Sequence, residues 1–255
     1  MTISASGAEL VDSLWCDFVG STPQAARIRE LLVARGEHVH HDHVALRTIA
    51  APGLAAGLEP GLGMDAIARR FEAEGFRPRE RYRFDAAHLR ARYWQHDDPN
   101  VPKVFIAELD VGALSPGAQA IFERLIAQVP HGFGDRVEPP WAGRPWTPAY
   151  ADYQSLLVES EHAARVAALG LGVDRCSLDV GALITFPDLD ALVAYLVEHA
   201  FRVDVRSERA TIRPDPIPVR FADVTARIPS GTYELTARRL SVPRDARGYV
   251  VSVAK

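Results

Sequence analysis

The spacing of apolar residues predicts two helices before the first strand of the chain. Between residues 8 and 19 the apolar side chains recur at helical spacing, as at Leu10, Leu14 and Phe18. Ser21-Thr22-Pro23 then provides a cap and a first-turn proline for a second helix, which we expect to end near Ala34. From His41 onward the pattern becomes the alternation of a strand.

Residues 41 to 109 predict the order strand, helix, strand, strand, strand. The helix is expected over 64–74, with Ile67 and Phe71 on its apolar face and Gly75 just beyond its end. Alternating and apolar runs then predict strands at 76–84, 89–94 and 104–109, with turn-forming residues between them.

A second series of elements follows a loop rich in proline and tryptophan at 130–148. We expect a helix from 116 to about 129 before this loop and one long helix over 150–169 after it. A strand at 176–180 and a helix at 188–199 come next, and further strands are predicted near 201–205, 210–213, 219–226 and 232–237. The tail ends in a strand-like piece at 249–253.

These two series predict an α+β fold in which two fused βαβββ-type modules form a curved mixed sheet around a central cavity, with the helices outside. We expect N-terminal helices in 1–37, the first module in 38–130, the Pro/Trp-rich seam and long helix in 131–170, and the second module and tail in 171–255. A chain of 255 residues can hold all of these in one compact domain.

Composition and charge narrow the classes of partner. The chain has 47% hydrophobic residues and a net charge of -4, so it offers no basic surface for nucleic acid. Cys16 and Cys176 are far apart in sequence, which favours neither a disulfide framework nor a paired-cysteine metal site. Because the sequence has neither a signal-peptide pattern nor about 18 consecutive apolar residues, we expect a soluble cytoplasmic protein without a membrane partner.

Candidate chemistry is concentrated between residues 38 and 48, which hold four of the nine histidines, an acid and an arginine. Strand alternation places His43 and Arg47 on one face and Asp42 on the other. At ~3.3 Å per residue His43 and Arg47 would lie roughly 13 Å apart along the backbone, a span suited to a metal ligand and a carboxylate clamp. We interpret six other histidines as solvated or surface residues, namely His38, His40, His41, His131, His162 and His199, although His41 or Asp42 could substitute as a ligand. His88 and His96 lie beside predicted strands, and His88 could face the cavity.

Four phrases of the sequence resemble the 2-oxoadipate dioxygenase/decarboxylase family, a branch of the vicinal-oxygen-chelate-like proteins. They are HDHVALRT (41–48), PKVFIAEL (102–109), YADY (150–153) with ESE (159–161), and YELTAR (233–238). The resemblance implies a fold of paired strand-helix-strand-strand-strand modules. It also implies a mononuclear Fe(II) site that uses O2 to convert a 2-oxo acid into a 2-hydroxy acid and CO2.

Site residues follow from the resemblance position by position. It implies that His43 and Glu234 are metal ligands and that Arg47 binds the substrate carboxylate, which makes all three candidate catalytic residues. Where members of the family read Asn-His-Phe-Thr, this chain reads DRCS (174–177), so the second histidine ligand falls on Arg175. A guanidinium stays protonated and cannot coordinate iron.

Arg175 would instead bind an acidic substrate or form an ion pair with Glu234, taking the place of the cation. We therefore predict a divergent nonhaem Fe(II) dioxygenase/decarboxylase acting on a small 2-oxo or dicarboxylic acid such as 2-oxoadipate. Two alternatives stay open. One is a metal-independent enzyme on the same scaffold, with His43 or Glu234 as the acid/base group. The other is a non-catalytic protein that binds a small acid.

Overall fold

A computed structural model of the chain describes residues 7–50, 62–130, 133, 143–206 and 208–237. The predicted strand at 249–253 and the predicted surface position of His131 lie outside these residues. Among the helices within these ranges, none is both long and apolar enough to cross a membrane.

The helices lie close to their predicted positions, with one exception. They are α1 (Gly7–Ser21), α2 (Pro23–Ala34), α3 (Met64–Ala73), α4 (Pro116–Ile126), α5 (Tyr150–Glu159), α6 (Glu161–Leu169) and α7 (Leu189–Glu198). The prediction of one continuous helix over 150–169 is wrong, because the chain is extended at Ser160. The hydroxyl of Ser160 accepts a hydrogen bond from the backbone N–H of Ala163 and so caps a new helix.

Ten strands occur in the described residues. They are β1 (His41–Ala50), β2 (Phe76–Phe84), β3 (Leu89–His96), β4 (Lys103–Asp110), β5 (Gly172–Asp179), β6 (Val203–Arg206), β7 (Arg209–Ile212), β8 (Pro216–Arg220), β9 (Thr225–Pro229) and β10 (Thr232–Thr236). The predicted single strand over 219–226 is wrong, because the N–H of Phe221 bonds to the carbonyl of Val224 and closes a turn. That turn makes β8 and β9 a separate hairpin.

The other eight strands form one mixed sheet in the order β2-β3-β4-β1-β5-β10-β7-β6. Each half of the sheet has the same plan. In the first half β1 is parallel to β4, and β3 and β2 continue antiparallel toward one edge. In the second half β5 is parallel to β10, and β7 and β6 continue antiparallel toward the other edge. The halves meet where β1 and β5 pair antiparallel, and the strands of the described residues do not close the sheet into a barrel. The fold is therefore the predicted α+β arrangement with a large mixed sheet.

The sheet separates two layers of packing. On one face Val44 and Leu46 belong to a buried cluster with α1, α2, α3 and α7. On the other face Ile49 packs with α4, α5 and α6 at one end of the strands. Phe105 lies on this second face among aromatic side chains from β2 and β3. The candidate site occupies the polar part of the second face, where the two halves of the sheet meet.

Candidate active site

Three neighbouring strands bring His43, Ser177 and Glu234 into one row. His43 in β1 is opposite Ser177 in β5, and Ser177 is opposite Glu234 in β10. Residues directly opposite each other share a face of the sheet, and Arg175 shares it too because it precedes Ser177 by two positions. His43, Ser177 and Glu234 are all buried. The fold thus brings both predicted metal ligands and Arg175 to one place.

The imidazole of His43 is held by a buried carboxylate. Nδ1 of His43 lies 2.9 Å from Oδ2 of Asp42, and Oδ1 of Asp42 accepts a hydrogen bond of 3.1 Å from Nζ of Lys103. The prediction that Asp42 turns to the opposite face is wrong, because a register shift between His41 and His43 leaves Asp42 as an extra residue in β1. An imidazole that donates from Nδ1 keeps the lone pair of Nε2 free as an acceptor.

Asp42 is ionised in this arrangement. Burial alone would raise the pKa of the Asp42 carboxyl, but its hydrogen bond to His43 and the nearby charges of His43 and Lys103 outweigh burial and hold the pKa below its ordinary value. The side chain of Asp42 is 1% exposed. The carboxylate therefore orients His43 from inside the protein rather than from solvent.

Arg175 and Glu234 form an ion pair within the row. Nη1 of Arg175 donates to Oε1 of Glu234 at 2.6 Å. The Arg175 side chain is 39% exposed, whereas that of Glu234 is 10% exposed. This is the pairing that we expected if Arg175 takes the place of a cation. The guanidinium lies on the open side of the pair, where it can meet a second anion.

The residues present do not fit the Fe(II) site that the resemblance implies. A facial triad needs two imidazoles and a carboxylate, and here the partner of the Glu234 carboxylate is a guanidinium. Within the described parts of the chain, no three His, Cys, Asp or Glu side chains are grouped so that they could hold a metal ion. The hydroxyl of Ser177, buried in the row without a hydrogen-bond partner in those parts, is a neutral oxygen and a poor substitute for an imidazole.

The guanidinium of Arg47 is hydrogen-bonded to residues in β5 and just before it. Its Nε donates to the carbonyl of Gly170 at 2.8 Å, and its Nη1 donates to the carbonyl of Val173 at 3.3 Å and to Oδ1 of Asp174 at 2.9 Å. The Arg47 side chain is 6% exposed. The predicted carboxylate clamp therefore already has a carboxylate partner within the protein.

Asp174 joins Arg47 to helix α6. A register shift between Ala45 and Leu46 makes Asp174 the extra residue in β5, and its Oδ1 also accepts a hydrogen bond of 2.8 Å from Nη2 of Arg165. Burial would raise the pKa of Asp174, but the charges of Arg165 and Arg47 outweigh burial and hold the pKa well below its usual range. Neither Asp174 nor Arg165 stands in a sequence pattern that predicts this long-range contact.

His162 belongs to the same buried region, so its interpretation as a surface residue is wrong. It lies three residues before Arg165 on α6 and therefore on the same side of that helix. Its Nε2 is buried without a hydrogen-bond partner in the described residues. Burial, together with the charges of nearby arginines including Arg47 and Arg175, lowers the pKa of His162 to about 4, although Asp174 opposes this change.

The other candidate residues, three histidines and Cys176, lie outside this row of polar side chains. His38 and His40 are exposed as expected, but the interpretation of His41 as solvated is wrong, because its ring packs 4.4 Å from that of Trp15. Burial, with smaller contributions from neighbouring positive groups, lowers the pKa of His41 to about 4. Cys176 points away from the row, as strand alternation predicts, and burial raises the pKa of its thiol.

A cavity of about 330 Å³ opens beside the row, at the beginning of β1 and β4. Its lining residues include Asp42 and Lys103, together with His40, Gln95 and Asn100, but not His43, Arg175 or Glu234. A volume near 300 Å³ is at the lower end of ligand pockets in proteins. The cavity therefore borders Asp42, the residue that holds His43, and it is large enough for a small acid or ordered solvent.

Comparison with known proteins finds relatives in sequence and in fold. The 2-oxoadipate dioxygenase/decarboxylase of rice, Oryza sativa subsp. japonica, is 27% identical over 253 residues, which cover 89% of this chain and 67% of the rice protein. The crystal structure of rice hydroxyglutarate synthase in complex with 2-oxoadipate matches with a TM-score of 0.77 at 24% identity, over 92% of this chain and 84% of that one. This chain is therefore similar, in sequence and in fold, to 2-oxoadipate dioxygenase/decarboxylases.

A bacterial structure is similar along almost the whole length of this chain. A Shewanella frigidimarina protein that is provisionally called a hydrolase matches with a TM-score of 0.82 and 30% identity, over 98% of both chains. No family model matches the sequence. The shared fold therefore includes both halves of the sheet and the place where β1, β5 and β10 meet.

Proposed function

We propose that this chain is an oxidoreductase of the 2-oxoadipate dioxygenase/decarboxylase family and that it binds a small 2-oxo acid at the row formed by His43, Arg175 and Glu234. The proposal rests on Arg175, whose partly exposed guanidinium donates a hydrogen bond to Glu234 through Nη1. Its planar fork can bind a carboxylate through the remaining nitrogens. The rice relative that binds 2-oxoadipate supports the choice of ligand class.

Oxidative decarboxylation is the first candidate reaction, and the similarity to the rice 2-oxoadipate dioxygenase/decarboxylase supports it. In this reaction the 2-oxo acid and one O2 give CO2 and a 2-hydroxy acid that is one carbon shorter. Iron would supply O2 activation if it were bound. Because the donors of this row do not fit iron, we assign to the chain's own residues only the binding and orientation of the acid.

Two cysteines that are far apart in sequence are consistent with a reducing compartment such as the cytoplasm.

A second candidate, metal-independent proton transfer, is favoured by the contact between Asp42 and His43. The carboxylate holds Nδ1 of His43, so Nε2 can accept a proton from the carbon next to the 2-oxo group. Arg175, on the same face, would stabilise the negative charge that develops on the enolate oxygen. This candidate predicts exchange of the C3 protons of the acid with solvent.

One set of assays on 2-oxoadipate separates these candidates. O2 uptake that requires added Fe(II) and is lost with EDTA would support the oxygenase, whereas deuterium incorporation at C3 that survives EDTA would support proton transfer. His43→Gln should abolish either activity, and Asp204→Asn, at an exposed ion pair of β6, serves as the control. Thermal stabilisation by 2-oxoadipate without turnover would indicate a binding protein. If there is no stabilisation and no turnover, the proposal is refuted.

A further inference from the structure

Lys103 is linked to His43 through one buried carboxylate. The two residues are directly opposite each other where β1 pairs with β4, so they share a face of the sheet. Asp42 joins them, since its Oδ2 lies 2.9 Å from Nδ1 of His43 and its Oδ1 accepts a hydrogen bond of 3.1 Å from Nζ of Lys103. Each carboxylate oxygen of Asp42 therefore has one of these two residues as its partner.

The carboxylate of Asp42 depends on both partners, because almost none of its surface is open to water. Its side chain is 1% exposed, compared with 18% for Lys103. Without Lys103, Oδ1 would be a buried and charged acceptor that has lost its donor, which is costly. The carboxylate would turn to recover a hydrogen bond, and its contact with Nδ1 of His43 would change with it.

The ring of His43 has little room to follow such a change. His43 is buried, and its ring centroid lies 5.0 Å from that of Phe105. In a ring that is held in this way, the acceptor that faces Nδ1 decides which of the two nitrogens carries the proton. With Oδ2 of Asp42 in place, the proton is on Nδ1 and the lone pair of Nε2 is free.

Lys103 also lines the cavity of about 330 Å³ that opens beside the row. Leaving the histidines aside, Asp42 and Lys103 are the charged residues among those that line it, and their charges are opposite. Shortening Lys103 would enlarge the cavity next to Asp42 and leave a negative charge on its wall. A small cation that enters from solvent could then take the position of the Lys103 ammonium.

We infer that Lys103 is a positioning residue of the site, which acts through Asp42 to keep the proton of His43 on Nδ1. The importance of this effect for turnover rests on the proposed function, in which Nε2 of His43 acts on the ligand. The effect on His43 itself does not. Because Arg175 and not Lys103 binds the acid in that scheme, loss of Lys103 should lower kcat and leave KM nearly unchanged.

Lys103→Ala tests the inference, because propylammonium has the same heavy atoms as the part of the lysine side chain that is removed. Nitrogen chemical shifts of His43, identified by their absence from His43→Gln, show which ring nitrogen is protonated at about pH 8, where histidine is ordinarily neutral. We expect the ratio of Nδ1-protonated to Nε2-protonated imidazole to fall about tenfold, the effect of one charged hydrogen bond. Added propylammonium should restore the ratio, whereas 1-propanol, which is similar in size but uncharged, should not.

Lys103→Met is the matched control, because its side chain fills the space of the lysine without an ammonium group. It should show the same fall in the ratio, and propylammonium should not restore it. A wild-type ratio in either variant, or a Lys103→Ala protein that propylammonium does not restore or that 1-propanol restores equally, would overturn the inference. If the ratio responds as expected but the wild type neither binds nor turns over 2-oxoadipate, the proposed function is refuted and the effect of Lys103 on His43 stands.

Discussion

Replacing Asp42 with Asn should destabilise the protein far more than the loss of an ordinary surface charge. The substitution keeps the side-chain volume, so packing is preserved, but it removes the charge that faces His43 at 2.9 Å and Lys103 at 3.1 Å. Lys103 is 18% exposed and can regain only part of its hydration. Losing one partner of a buried ion pair costs 3–5 kcal/mol and a charged hydrogen bond about 1.5–3, so we expect a loss of about 3 kcal/mol.

Urea unfolding at pH 7 measures this loss as a change in the free energy of unfolding. The matched control is Asp204→Asn, because Asp204 also pairs with a cation, Arg213, but both side chains are about half exposed. We expect the unfolding midpoint of this control to stay at the wild-type value. A loss of under about 1 kcal/mol in Asp42→Asn would refute the reasoning, because it would place Asp42 in the range of exposed pairs. Nitrogen chemical shifts of His43 should also show that the variant no longer holds the proton on Nδ1.

Two further predictions concern Glu37 and Arg175. The Glu37 carboxylate accepts from the backbone N–H groups of Ile184 and Thr185, and these bonds, with that from the Thr185 hydroxyl, lower its pKa although burial opposes them. A lowered pKa stabilises the fold above the unfolded pKa of about 4.3, so Glu37→Gln should cost about 1–2 kcal/mol at pH 7, and the difference should shrink toward pH 3. Urea unfolding at both pH values measures this, and a constant difference would contradict it. The Arg175→His protein should contain more bound Fe(II) or Co(II) than the Arg175→Gln protein, as measured by metal analysis. Equal metal contents would show that residue 175 does not occupy the position of a metal ligand.

The sequence patterns predicted elements better than they predicted irregularities. Apolar periodicity located α1, α2 and β1 within a few residues, because each element buries one continuous face. The break at Ser160 was missed because a serine within an apolar helical pattern can either continue the helix or cap a new one. Its hydroxyl bond to Ala163, which decides between the two, is a feature of the folded chain.

The site was predicted only in part, because it too combines regular strand positions with irregular ones. His43, Arg175 and Glu234 stand in recognisable phrases, and strand alternation gave the correct face for Cys176. Alternation failed at Asp42, and it carries no signal for Asp174, because both are extra residues at shifts in strand register. Such shifts depend on how β1 and β5 pair, and residues far apart in sequence determine that pairing.

Among the residues that the structure describes, β2 and β6 are the edge strands of the sheet, which has a consequence for how copies of this protein behave when they meet. An unpaired edge strand can template pairing with another chain. Strand β2, at one edge, contains Pro78 and four arginines at alternating positions, Arg77, Arg79, Arg81 and Arg83. Strand β6, at the other edge, has only four residues and includes Asp204 and Arg206. Two copies that met along β2 would bring arginines against arginines at a strand interrupted by proline, so the unclosed sheet carries its own protection against growing into an aggregate.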